Sequence, residues 1–170
     1  MTHKLSTALF LVATVLFIFF VLKLAHLAND SKKNSAPGLL NDVLTPCPNA
    51  PNCISSELHE DNKHSVRAIA LTGSLAENPW PLVRDVIEIM GGEVTEIRDY
   101  YCAAQFSTKF FKFVDNFELR WDEQNKVLHV RSASRVGYSD LGENKKRIAE
   151  FKSRLMTLEK NRSQFLENIK

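Results

Sequence analysis

Leu5 to Leu22 reads Leu-Ser-Thr-Ala-Leu-Phe-Leu-Val-Ala-Thr-Val-Leu-Phe-Ile-Phe-Phe-Val-Leu without a charged residue, and no other stretch constrains this chain as strongly. Such a segment is either a helix that crosses a membrane, where every backbone polar group needs an internal partner, or a signal peptide. At about 1.5 Å per residue it spans roughly 27 Å, close to the hydrocarbon thickness of about 30 Å once Lys23 snorkels and Leu24 to Ala28 are added. Cleavage after Ala28 puts His26, and cleavage after Ala25 puts Lys23, where a small residue is required. No cysteine follows closely enough for a lipoprotein signal. Residues 1–28 are therefore expected to be an uncleaved anchor, with secretion after cleavage as the alternative.

Orientation draws on opposed signals. Lys23, Lys32 and Lys33 after the segment outnumber Lys4 and the α-amine before it, which counted alone keeps the domain cytoplasmic. A short N-terminal tail and the cysteine arrangement below favour the other side. The expectation is a single-pass inner-membrane protein with a periplasmic domain.

Asn29 to Asn41 is polar, contains Pro37-Gly38 and lacks periodicity, so residues 29–44 are expected to form a flexible tether and 45–170 a single globular domain. Of the 22 basic residues only Lys4 and Lys23 precede Asn29, whereas all 20 acids follow it, so the remainder balances at zero. That disfavours nucleic-acid binding. The balance is uneven: from Leu141 onward eight basic residues face four acids. Such a helix presents either a solvated face or a surface for a protein partner or self-association.

Thr45-Pro46-Cys47-Pro48-Asn49-Ala50-Pro51-Asn52-Cys53 enforces turns and lets Cys47 and Cys53 approach to disulfide distance, with Cys102 left as a buried thiol. A metal reading competes, because Cys47, Cys53, His59 and His64 form a Cys-x5-Cys-x5-His-x4-His series, but the cysteine spacing is wider than structural zinc sites use. No metal and no cofactor is expected.

From Val66 the pattern is β-α-β-β-β-β-α. Val66 to Leu71 is a strand; Pro79-Trp80-Pro81 starts a helix that Gly91-Gly92 stops; strands follow at Glu93 to Arg98, Tyr101 to Thr108, Phe113 to Asp122 and Val127 to Ser132. Phe117, Leu119 and Trp121 alternate with Glu118 and Arg120, which predicts a sheet with one wet face. Phe106, Phe110, Phe111 and Phe113 crowd one hairpin and are expected in the core, with an apolar ligand wall or a membrane-touching rim as the alternative. Leu141, Ile148, Phe151, Leu155, Leu158, Phe165 and Ile169 fall on one stripe of a long final helix, interrupted by Arg162; its first half is expected to pack on the sheet and its tail beyond Glu159 to project and pair with another subunit or to fray. The fold class is α+β: an antiparallel meander of four to five strands packed with one internal helix and a long C-terminal helix, preceded by a transmembrane helix.

The candidate site is the strand-to-helix junction from Arg131 to Arg147, where Arg131, Ser132, Ser134, Arg135, Ser139, Asp140, Asn144 and Arg147 can surround one volume. Guanidinium groups, backbone N–H groups and the positive end of a helix dipole together suit an anion. On a strand, Arg131 and Ala133 point to one face, Ser132 and Ser134 to the other, while Asp140 is placed to cap the helix. The competing reading is structural: Asp115 and Asp140 pair with the arginines and merely tie helix to sheet. Gly137-Tyr138-Ser139-Asp140-Leu141 resembles a nucleophile elbow, but Leu141 replaces the closing glycine and neither His64 nor His129 is tied to Ser139 by spacing.

Cys47 to Ser56, then Phe113-Val114-Asp115-Asn116, then Arg131-Ser132-Ala133-Ser134-Arg135 through Gly137, Asp140, Gly142, Asn144 and Arg147-Ile148 resemble the family called domain of unknown function 1499. The resemblance implies a compact secreted or membrane-linked domain and brings no activity, catalytic residue or cofactor. The chain departs from the family pattern at Ala50, Lys145 and Asn116; the last removes one carboxylate from any cation site at that turn. The expected function is binding of an anionic small molecule, lipid headgroup or envelope polymer at the junction by a membrane-anchored domain. An adaptor that recruits a partner through its basic helix is the alternative.

Overall fold

The structure, a computed structural model, describes residues 2–57 and 63–169. Helix α1 (Thr2–Lys33) is long and apolar enough to cross a membrane. The side chains from Leu5 to Phe20 are exposed; further along, the helix turns a face to the domain, with Ala28 and Ser31 buried. The chain then forms a small hairpin, β1 (Leu39–Leu40) and β2 (Val43–Leu44). Its turn residues Asn41 and Asp42 both have positive φ, the conformation that a two-residue hairpin turn requires and that these residue types tolerate.

The main sheet comprises β3 (Cys53–Ser55), β4 (Ile69–Ala70), β5 (Glu93–Arg98), β6 (Tyr101–Ser107), β7 (Val114–Asp122) and β8 (Val127–Ser134). Strands β5 to β8 make an antiparallel meander, and β3 and β4 both pair antiparallel with β8. The sheet is thus the expected meander, with the strand expected at Val66 to Leu71 reduced to β4 and one further short strand, β3, added. Helices α2 (Trp80–Ile89) and α3 (Glu143–Asn168) cover one face. Leu82, Val83, Val86 and Ile87 of α2 and Ile148, Phe151 and Leu155 of α3 pack on Phe117, Leu119, Leu128 and Val130. The tilted Phe117–Phe151 pair, with ring centroids 5.0 Å apart, lies at the centre of this core.

Three expectations need correcting. Residues 29–44 are not a free tether: α1 continues to Lys33, and the following segment lies along the second face of the sheet. There Asn116 Nδ2 donates to the Ser35 carbonyl, the Gly38 N–H donates to Glu118 Oε1 at 2.9 Å, and the Leu44 N–H donates to Glu57. We call residues 34–45 the strap. The predicted wet face is therefore covered over β7, where Glu118 is fully buried beneath the strap, and stays exposed only toward the edge strand β5. The phenylalanine cluster is also divided: Phe106 is buried, whereas Phe110 at the β6–β7 tip is 92% exposed.

Candidate functional site

Strand alternation sends the junction residues to opposite faces. Arg131 lies on the strap face, where the register sets it across from Glu118. Its Nη1 donates to Glu118 Oε2 at 2.5 Å, and both side chains are buried. Glu118 Oε1 accepts further bonds from the Tyr101 hydroxyl at 2.8 Å and the Gly38 N–H. Burial and the adjacent carboxylate push the Tyr101 phenol well above its ordinary range, so it stays a donor. Among the described residues Arg135 forms no ion pair. Its Nε donates to Asn116 Oδ1 at 2.7 Å, Nη2 to Gln105 Oε1, and Nη1 to the Ser31 carbonyl at 3.2 Å. The last bond places a cation at the carbonyl end of α1, where the helix dipole favours it.

A second polar cluster lies against α3. Ser132 Oγ donates to Asn144 Oδ1 at 2.6 Å, and Asn144 Nδ2 donates to the Asn52 carbonyl and to Ser134 Oγ. Arg147 donates to Ser132 Oγ, Asn144 Oδ1 and Asp115 Oδ2, the last at 2.8 Å, and its guanidinium lies 4.9 Å from the centre of the Phe106 ring. Asp140 receives the Gly142 N–H on one carboxylate oxygen and the Asn144 N–H on the other at 2.7 Å. The carboxylate of Asp140 thereby occupies the position at the start of α3 that an external anion was expected to take. Ser139 accepts the Leu141 N–H.

Of the eight candidates, the structure brings Ser132, Ser134, Asn144 and Arg147 into one network with Asp115, while Arg131 and Arg135 stand on the other side of the sheet. Cys47 and Cys53 are joined as a disulfide with Cα atoms 5.6 Å apart, so they do not offer thiolates to a metal. His59 lies outside the described residues. The disulfide loop delivers Asn52, whose carbonyl accepts both the Ser134 N–H and Asn144 Nδ2. Cys102 is a buried free thiol whose pKa is pushed up to about 12 by burial. His129 hydrogen-bonds Ser56 and neighbours Glu57 on the strap face, so it does not serve Ser139.

Two residues that sequence reasoning missed organise these regions. Glu118 was readable in principle: the turn that sets Asp122 against Val127 also sets Glu118 against Arg131. Glu159, buried on α3, accepts the Ser74 N–H and hydroxyl at 2.8 Å each, closing the short 3-10 turn Gly73–Ala76. No local pattern marks that contact, which joins residues 85 positions apart.

Beside the second cluster runs a groove of about 1000 Å³ between the end of α1, the β6–β7 hairpin and the β8–α3 junction. Leu24, Leu27, Phe106, Phe110 and Phe113 make apolar walls, and Ser134, Ser139, Asp140 and Arg147 line it from the junction. Its rim carries Lys109 and Lys146; Lys146 pairs with Glu143 at 2.7 Å, and among the described residues Lys109 has no ion-pair partner.

These features define an α+β meander domain attached to an N-terminal apolar helix. The chain belongs to the family described as a protein of unknown function (DUF1499), whose family model matches residues 43–155. No curated protein and no solved structure matches the chain.

Proposed function

We propose that this protein is a membrane-anchored, extracytoplasmic binding domain that holds an anionic amphiphile in the groove beside its own anchor. The observation that carries the reading is the composition of that groove. Leu24 and Leu27, just beyond the apolar stretch of α1, share it with Phe106, Phe110 and Phe113 on one side and the polar junction on the other. A ligand with an apolar tail and a charged head matches both walls. Among the three ligand classes expected at the junction, this favours a lipid over a free small anion or a polymer. The role of the arginines changes accordingly. Arg131 and Arg135 brace the scaffold, Arg147 orients the polar wall, and Lys109 supplies the free positive charge at the rim. The Cys47–Cys53 disulfide supports an oxidising, extracytoplasmic location.

Native mass spectrometry of the full chain released from membranes in mild detergent tests this. Retention of an anionic lipid by the wild type, reduced by Lys109→Glu and abolished by Ser139→Trp, supports the reading. An empty wild-type protein contradicts it. A second reading is favoured by one observation: Phe165, Leu166 and Ile169 at the end of α3 are exposed. That suits an adaptor surface. Truncation after Lys160 retains the Glu159 contact and removes the apolar tail, so the adaptor reading predicts loss of a co-purifying partner from an otherwise folded domain.

A further inference from the structure

The two ends of β7 differ in chemistry. The β7–β8 turn consists of Glu123, Gln124, Asn125 and Lys126, whereas the β6–β7 tip carries Phe110 and Phe111 between Lys109 and Lys112. Phe110 is 92% and Phe111 41% exposed, so the tip presents aromatic surface that the fold itself does not cover. Across the groove, on the β8–α3 loop, Tyr138 and Leu141 are 75% and 88% exposed. The two exposed apolar patches flank the same end of α1.

The position of that end along the membrane helix is informative. Val114, the first residue of β7, is bonded through its N–H to Ser31 of α1 at 3.0 Å, and Phe110 and Phe113 share the groove with Leu27 and Leu24. From Leu22, where the uncharged stretch ends, to Leu27 the helix rises only about 7 Å. The headgroup layer on each side of a bilayer is about 5–8 Å thick. A helix that spans the hydrocarbon with Leu5 to Leu22 thus holds the β6–β7 tip at the level of the headgroups.

We infer that the β6–β7 tip, Lys109 to Lys112, enters the interface of a bilayer containing anionic lipid and forms a second membrane contact beside α1. The phenyl rings of Phe110 and Phe111 enter the upper acyl region, and Lys109 and Lys112 meet anionic headgroups, the division that amphipathic interfacial segments use. Tyr138 and Leu141 extend the contact on the other side of the groove, whose mouth then opens toward lipid. The inference rests on α1 as the membrane span but does not require the groove to be occupied.

The test is spin-label accessibility in the full-length chain with Cys102→Ala, reconstituted into nanodiscs of phosphatidylcholine and phosphatidylglycerol in equal parts. Nitroxides are placed by Phe110→Cys, by Phe17→Cys in the anchor, and by Gln124→Cys at the opposite end of β7, about 30 Å away at 3.3 Å per strand residue. Phe110 is nearly fully exposed, so its replacement leaves the melting temperature unchanged. The expected result is that the label at 110 resembles that at 17, with frequent oxygen collisions and few with a water-soluble nickel chelate, and is unlike that at 124. Nickel collisions at 110 should rise in pure phosphatidylcholine. A label at 110 as open to nickel as that at 124, with 17 in lipid, overturns the hairpin contact and leaves the anchor standing. A label at 17 in water overturns both. Spin–spin broadening at 110 assigns the tip to a second copy of the chain and also overturns the proposal.

Discussion

The two faces of the β5–β8 meander are built from alternate residues of the same strands and are buried by different means. On one, Phe117, Leu119, Leu128 and Val130 are covered by α2 and α3, with an apolar contact that tolerates small shifts. On the other, Asn116, Glu118 and Arg131 lie beneath the strap and the end of α1, Arg120 and His129 lie against Ser56 and Glu57, and each needs a particular partner. The first kind of burial derives its stability from area removed from water, the second from complete satisfaction of buried charges. The comparison teaches where the chain is sensitive: the apolar face to loss of volume, the strap face to loss of any single partner.

The largest expected effect is at the centre of the strap face. Glu118→Ala strands the buried Arg131 guanidinium and removes the acceptor for Tyr101 and Gly38, at a cost of about 3–5 kcal/mol. Phe117→Ala, one residue away on the opposite face, costs a similar amount, about 3–5 kcal/mol, by leaving a cavity. Chemical denaturation separates the two causes: adding Arg131→Leu to Glu118→Ala should recover stability, and adding it to Phe117→Ala should not. Equal behaviour of the two double variants would erase the distinction drawn between the faces.

A smaller effect is expected where the strap rejoins the sheet. Replacing Cys47 and Cys53 by Ser opens a loop of sequence separation 6 and costs about 2 kcal/mol by the chain-entropy estimate. Reductant titration of the wild type, followed by thermal melting, should give the same loss. Because Asn52 in this loop bonds Ser134 and Asn144, the reduced protein should also show faster amide exchange at Ser134.

The smallest effect sharpens the comparison through pH. Burial first, then the Arg120 charge, lowers the His129 pKa below its ordinary value of 6.5, against opposing pulls from Glu57 and Asp122. The unfolded chain thus takes up a proton before the folded one does. The contribution to stability is complete above pH 6.5 and is lost as the pH falls from there through the depressed folded value. His129→Gln should flatten this dependence in denaturant midpoints measured from pH 8 to pH 5, and a slope of the same size in the variant would refute the assignment.

Much of the apolar face was legible because its information is local. Alternation in Phe117 to Trp121, the Pro79-Trp80-Pro81 start and the Gly91-Gly92 stop define strands and helix from neighbours in sequence. The strap was not. Asn29 to Leu44 contains the residue types of a linker, and what holds it is backbone hydrogen bonding to side chains far along the chain, such as Gly38 to Glu118. Glu118 and Arg120 therefore read as solvent-facing, when an element from elsewhere in the sequence buries them. The junction was half legible. Alternation separated Arg131 and Ala133 from Ser132 and Ser134, and Asp115 was recognisable as a partner of an arginine, whereas Asp140 caps α3 and, among the described residues, forms no ion pair with an arginine. The groove was hidden, because it depends on α1 continuing past Leu24 to meet the β6–β7 hairpin.

The account stands on the strap being folded onto the sheet, so that anchor and domain move as one body. Hydrogen–deuterium exchange of the full chain, read over residues 34–45, tests this directly. The structure predicts protection of the Gly38 and Leu44 amides approaching that of β7, and Glu118→Ala should release it. Exchange over this segment at the rate of an unstructured peptide in the wild type would contradict the account.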